Sequence, residues 1–314
     1  MAVQGFMKIL GHPKAVGEVF HTDSGVQACA FLSGEQEKKG HDMNICFIGG
    51  GNMATALISG LLKRGYSAFN LHVVELNSDN RKRLHNDFGV HASSELAEGA
   101  AHCENVVLAV KPQQLREVAI QMAPLLSGQL VISIAAGIRA MDLARWTGTE
   151  NIVRAMPNTP ALIRSGMTGL YALPQVSEAH RLAAQSILSA VGDTLWLEDE
   201  AMMDAVTAVS GSGPAYVFYF IEAMQQAACE MGFSEEDARR LVLDTFSGAS
   251  KLAGASKESV SVLRERVTSK GGTTERALLD MEAHDVKQHI IAAVHAAAER
   301  ARAIGDELGG IDAE

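Results

Sequence analysis

The chain has few of the features that mark a nucleic-acid binder. Among its 314 residues, 27 basic side chains face 37 acidic ones, a formal net charge of −10. That balance argues against a general nucleic-acid binder, whose affinity rests on neutralising phosphates. Aromatic residues make up only 5%, too few for a base-stacking platform. Four cysteines stand far apart, at 29, 46, 103 and 229, with no C-x-x-C pair. That gives no sign of a disulfide framework and fits a reducing, cytoplasmic setting. Cys46 lies in a strand-like run and Cys229 in an apolar helix-like one, so both are expected to be buried small hydrophobes. The 11 histidines form neither H-x-H nor H-E-x-x-H, which leaves a metal site without support. No apolar run approaches the ~20 residues that cross a membrane.

What is present is enough chain for two domains, with 47% apolar and 20% charged residues. The most informative stretch is Gly49-Gly50-Gly51-Asn52-Met53-Ala54, directly after the apolar run Ile45-Cys46-Phe47-Ile48. Gly49, Gly51 and Ala54 occupy the defining positions of a G-x-G-x-x-G/A dinucleotide fingerprint. Gly49 permits the turn, Gly51 lets a pyrophosphate approach the backbone, and Ala54 lets helix and strand pack closely. Asn52 and Met53 then open a helix, predicted over 52–65 and ended by Gly65, whose first N–H groups and dipole favour an anion. Leu71–Val74 reads as the second strand. Glu75 closes it, 24 positions after Gly51, where a dinucleotide fold places the acid for the ribose 2′-hydroxyl. A carboxylate there repels a 2′-phosphate, so Glu75 leans the choice between NADPH and NADH towards NADH. The run Arg81-Lys82-Arg83 is the opposing hint, or simply a solvated helix face.

Strand-like and helix-like runs alternate to about residue 200, the pattern of a parallel sheet covered on both faces. Strands are predicted at 106–110, 130–134 and 152–156, helices near 77–88, 112–124 and 139–146, and extra edge strands at 167–173 and 193–197. Ligands of such sheets sit beyond the carboxyl ends of the strands. Three loops stand there: Val110-Lys111-Pro112, with Lys111 for a cofactor hydroxyl or phosphate; Ala135-Ala136-Gly137, small enough for a flat nicotinamide ring; and the proline-stiffened loop that presents Asn158. After about 205 only helices are predicted, at 213–231, 235–253, 257–267, 273–282 and 285–308, the first capped by Ser210–Ala215. Ala292, Ala293, Ala296, Ala297 and Ala298 leave the last helix narrow. So small an all-helical region cannot bury its own apolar surface, and dimerisation through these helices is the expected solution. The division is therefore 43–205 for a Rossmann-type dinucleotide-binding domain and 206–314 for a helical substrate and dimerisation domain. Residues 1–42 fit neither a transit peptide nor a secretory signal. They are expected to lie outside the fold, as a mobile tail or a start-site choice, with Met43 a natural start.

The second motif is Thr268-Ser269-Lys270-Gly271-Gly272-Thr273-Thr274, also running into a helix. Its glycines and hydroxyls form a compact donor set suited to a carboxylate; an N-cap by Thr273 or Thr274 is the plainer alternative.

Taken in order, Phe47–Ala54, Ala109–Pro112, Ser133–Gly137, Arg154–Pro160, Val209–Tyr216 and Ser269–Thr274 resemble the pyrroline-5-carboxylate reductases over residues 44 to about 305. The resemblance implies NAD(P)H-dependent reduction of 1-pyrroline-5-carboxylate, a small cyclic imino acid, to L-proline, the last step of proline biosynthesis. It also implies a homodimer or larger homo-oligomer. It implies that Ser269, Gly271, Gly272 and Thr273 hold the substrate carboxylate, while the Thr274 hydroxyl hydrogen-bonds the ring nitrogen. The two helix starts are then expected to face each other across one cleft. Two departures stand out: Lys270 replaces the family's usual proline, and the region around Glu75 differs from members that accept NADPH with a small polar or basic residue. Two other readings remain open. In a hydroxyacid-type dehydrogenase of similar layout, Lys270 is the candidate base near the site. In a non-catalytic NADH-sensing module, a carboxylate seat has no use.

Overall fold

The computed structural model describes residues 43–100 and 102–310; the expectations for 1–42, and for Cys29 within them, lie outside the described residues. One eight-stranded sheet forms the centre, in the order β3-β2-β1-β4-β5-β6-β7-β8. The strands are β1 Ile45–Ile48, β2 Leu71–Val74, β3 His91–Ser93, β4 Asn105–Leu108, β5 Leu130–Ser133, β6 Ile152–Met156, β7 Gly166–Ala172 and β8 Gly192–Trp196. The first six run parallel; β7 is antiparallel to β6, and β8 is parallel to β7. Only 192–196 of the two expected extra strands is an edge. β7 is interior, and the opposite edge is β3, a short strand too polar to stand out in the sequence.

The strands read as apolar runs because helices cover both faces. Every residue of β1, β4 and β5 is buried. The helices of this half are α1 Asn52–Lys63, α2 Ser78–Phe88, α3 Leu96–Ala100, α4 Pro112–Met122, α5 Ala140–Thr147 and α6 Glu178–Ser189. The chain moves outward from β1 to β3, then returns to the far side of β1 as β4. This reversal leaves a crevice at the carboxyl ends of β1 and β4, where doubly wound sheets bind ligands.

From residue 202 the chain is helical: α7 Met202–Val206, a π-helical turn over Thr207–Gly211, α8 Gly213–Glu230, α9 Glu235–Ala255, α10 Val260–Arg266, α11 Thr273–Ala283 and α12 Val286–Gly309. The expected cap at 210–215 takes a different form. Ser212 already has helical dihedrals and makes no side-chain cap, and its N–H donates to the Thr207 carbonyl at 2.8 Å. The helical backbone enters α8 directly from the preceding turn, so no cap is needed.

Cys229 is also corrected: it is exposed, whereas Cys46 is fully buried. The apolar face of α8 that suggested a core is left largely exposed by the described residues. The end of α12, by contrast, returns to the sheet half. Arg139 pairs with Asp306, and Arg145 donates to the Gly309 carbonyl at 3.0 Å. A partly buried ion pair lies nearby: the buried Arg154 on β6 donates at 2.7 Å to Glu200 Oε1, which also accepts the Ala140 N–H at 2.7 Å.

Candidate active site

β1 enters its glycine turn without a spacer. Gly49 adopts φ +100°, and a Cβ there would lie 2.8 Å from the Ala109 carbonyl oxygen, so a side chain is excluded. Its N–H donates to the Val74 carbonyl at 2.8 Å, joining the ends of β1 and β2. A Cβ on Gly50 would lie 2.5 Å from the Leu84 side chain. Gly51 differs: nothing lies within 4 Å of where its Cβ would stand. That open space fronts the start of α1, where Gly51 is the N-cap and makes no side-chain cap. The N–H groups of Asn52 and Met53 have no intrahelical acceptor there. A close backbone, open space above it and helix dipoles behind it are what a pyrophosphate requires.

Glu75 follows β2 and is bound to this turn. Its Oε2 accepts from Gly50 N–H at 3.1 Å and from Asn80 Nδ2 at 3.0 Å, and its Oε1 accepts from Asn77 N–H at 2.9 Å. Burial by itself pushes its pKa up. The hydrogen bonds from Asn77, Asn80, Gly50 and Leu76 together outweigh burial and hold it below the ordinary carboxylate value. The basic run behind it serves the loop and helix. Arg81 donates to the carbonyls of Glu75 at 2.7 Å and Leu76 at 2.8 Å, Arg83 reaches Asn80 and Thr55, and Lys82 pairs with Asp79.

A cavity of about 760 Å³ opens over these elements. Gly49, Gly51, Glu75, Val110 and Lys111 line it, with Leu76 and Leu96 as apolar walls. Lys111 is the N-cap of α4, and Pro112 holds its first position. The other predicted residues lie elsewhere. Ala135, Ala136 and Gly137 do not line this cavity, and a Cβ on Gly137 would lie 2.5 Å from Ile304 of α12. Asn158 donates to the Ser210 carbonyl and hydroxyl at 3.2 Å each and accepts the Met167 N–H at 2.9 Å, clamping the loop after β6 to the π-helical turn.

Ser269, Gly271, Gly272, Thr273 and Thr274 form one compact turn but do not line the cavity either, so within one chain the two helix starts do not share it. Gly272, not a threonine, is the N-cap of α11. The expected donor set is smaller than the sequence suggested. Gly271 N–H already donates to Glu275 Oε2 at 2.6 Å, and Gly272 N–H to the Ser269 carbonyl at 3.0 Å. The turn satisfies its own glycines because an acid sits three residues past the cap. The hydroxyls and the first-turn N–H groups of Thr273 and Thr274 remain. A second hollow, of about 630 Å³ beside Phe233 and Arg240, holds no predicted site residue. Sequence reasoning missed Asn77 and Asn80; an asparagine N-cap followed three residues later by another was the available signal.

Comparison with known proteins decides the family. The family model for pyrroline-5-carboxylate reductase dimerisation matches residues 200–304, and that for NADP oxidoreductase, coenzyme F420-dependent, matches residues 44–137. The pyrroline-5-carboxylate reductase of Pseudomonas aeruginosa is 45% identical over 267 residues, 84% of this chain and 98% of its own length. The chain belongs to the pyrroline-5-carboxylate reductase family. The reductase of Haemophilus influenzae is similar at 46% identity over 82% of this chain and 96% of its own length. The solved reductase of Coxiella burnetii matches with a TM-score of 0.79 at 40% identity, covering 84% of this chain and 98% of its own. That of Plasmodium falciparum, solved with NADP bound, matches at 0.77 and 32% identity, over 84% and 99%. Members of this family are NAD(P)H-dependent oxidoreductases of proline biosynthesis, with a Rossmann-type domain followed by a helical dimerisation domain. Among the described residues no helix is long and apolar enough to cross a membrane.

Proposed function

We propose that this reductase converts 1-pyrroline-5-carboxylate to L-proline in a cleft with two sides. The cofactor side is the cavity over β1, β2 and β4; the substrate side is the start of α11. The observation that carries the reading is the glycine turn at the switch point, with open space at Gly51 and an ionised Glu75 bound beside it. In this reading Gly49, Gly51, Asn52 and Met53 hold the pyrophosphate, Glu75 the ribose hydroxyls, and Val110, Lys111 and Pro112 the neighbouring phosphate or sugar. Ala135, Ala136, Gly137 and Asn158 shape the nicotinamide end. Residues 43–205 form the cofactor domain and 206–314 the substrate and dimerisation domain.

Bound NAD(P)H supplies the hydride. The substrate imine protonates readily, and its iminium is a better hydride acceptor, so the protein's task is positioning. Ser269 and Thr273, with the N–H groups of the first turn of α11, seat the substrate carboxylate beside Gly271 and Gly272, whose own N–H groups are engaged. The Thr274 hydroxyl hydrogen-bonds the ring nitrogen as iminium and then as amine. That the α11 start does not line its own chain's cavity supports a cleft completed by a second copy, so the partners are a small-molecule substrate and another copy of this chain rather than nucleic acid. Three free cysteines among the described residues fit a cytoplasmic setting.

A hybrid oligomer tests the arrangement. A chain carrying Gly51→Asp mixed with one carrying Thr274→Ala recovers turnover when each cleft draws on two chains, because one cleft is then intact. Hybrids as inactive as their parents contradict a shared cleft.

A further inference from the structure

Among the donors that hold Glu75, Asn80 comes from outside the cavity lining. Asn80 Nδ2 donates to Glu75 Oε2 and to the Gly50 carbonyl, both at 3.0 Å. Its backbone N–H donates to Asn77 Oδ1 at 2.9 Å, and its Oδ1 accepts from Arg83 Nε at 3.0 Å and Nη2 at 2.8 Å. Arg83 Nη2 also reaches Thr55 Oγ1 at 3.2 Å. One amide therefore joins the glycine turn, the end of β2, the first turn of α2 and, through Arg83, the first turn of α1. A Cβ on Gly50 would lie 3.1 Å from the Asn80 amide nitrogen and 3.2 Å from Glu75 Oε2, so the clamp also depends on a glycine at that position.

We propose that Asn80 is a positioning residue for cofactor discrimination, acting through Glu75. An acid on a free side chain can turn away from a 2′-phosphate and relieve the repulsion. Pinned at Oε2 by Asn80 and Gly50 and at Oε1 by the Asn77 N–H, Glu75 is held against turning, and the remaining acceptor capacity of Oε1 stays presented to the ribose hydroxyls of NADH. The same contacts favour the ionised carboxylate, which both accepts hydroxyl donors and repels phosphate. This inference rests on the reading of Glu75 as the ribose acid.

The test is a double-mutant cycle in the full-length reductase, with NADH and NADPH assayed separately at saturating 1-pyrroline-5-carboxylate. Asn80→Ala is expected to raise the KM for NADH about tenfold and to narrow the preference for NADH over NADPH by a similar factor, leaving kcat within about twofold. Asn80→Leu, similar in size and without the amide donor or any added charge, is expected to do the same and provides a second route to the cycle. The acid limb of the NADH KM profile is expected to move to higher pH in Asn80→Ala, as the carboxylate loses a donor. In a Glu75→Ala background, Asn80→Ala is expected to change neither KM. Equal effects in both backgrounds, or loss of kcat with KM unchanged, overturn the inference while leaving the role of Glu75 standing. An unchanged NADH KM in Glu75→Ala alone overturns the ribose-acid reading and this inference with it.

Discussion

In β1 all four residues are shielded from water, whereas α8, with 18 residues, buries only Ala228. The contrast extends to the rest of each half. α9 buries Ala238 and Val242, α10 and α11 bury none, and Phe218, Tyr219 and Met231 are 63%, 72% and 75% exposed. The sheet half closes its own core and opens a cavity over its glycine turn. Among the described residues the helical half leaves a broad apolar face exposed, and this half matches a dimerisation domain. One half buries its core within its own chain. The other belongs to a dimerisation domain.

The comparison is broken most strongly at the junction. Arg154→Ala removes a buried guanidinium from the partly exposed Glu200, and is expected to destabilise the chain by about 2–3 kcal/mol in urea unfolding. A loss under about 1 kcal/mol makes the pair incidental. Thr274→Ala is next: kcat is expected to fall about 100-fold, with NADH binding measured by fluorescence unchanged. Unchanged turnover removes Thr274 from the mechanism. Phe218→Ala sharpens the contrast, because a side chain exposed in one chain is expected to be core in the oligomer. Light scattering should show dissociation at concentrations where the parent is intact, from a loss of about 2 kcal/mol per copy, while NADH still binds. Glu75→Ala is expected to lower the kcat/KM ratio of NADH to NADPH about tenfold.

The smallest effect is on acid stability. The folded pKa of Glu75 lies below its unfolded value, so its contribution is complete above the ordinary Glu range and is lost as pH falls through the folded pKa. Glu75→Gln is expected to flatten the fall in stability below about pH 4.5 and to change little at neutral pH. The same slope in both proteins contradicts the bound carboxylate.

These contrasts also explain what the sequence made legible. β1, β2, β4, β5 and β6 stood out because strands covered on both faces are continuous apolar runs bounded by turn residues. β3, His91-Ala92-Ser93, did not, being three residues long and half polar. Gly49, Gly51 and Glu75 were readable because their spacing follows from backbone geometry. Asn80 was not, since its role depends on α2 folding back over the glycine turn. Cys229 misled because an apolar helix face looks the same whether its cover comes from its own chain or from another. Gly271 and Gly272 were readable as a tight turn, but Glu275, just beyond the motif, takes an N–H that had been assigned to a ligand.

The most direct test of the central claim is to follow loss of NADH and of NADPH separately by the purified full-length chain, with 1-pyrroline-5-carboxylate as the varied substrate and proline measured as product. The account predicts stoichiometric proline formation with a higher kcat/KM for NADH. Oxidation of neither cofactor contradicts it.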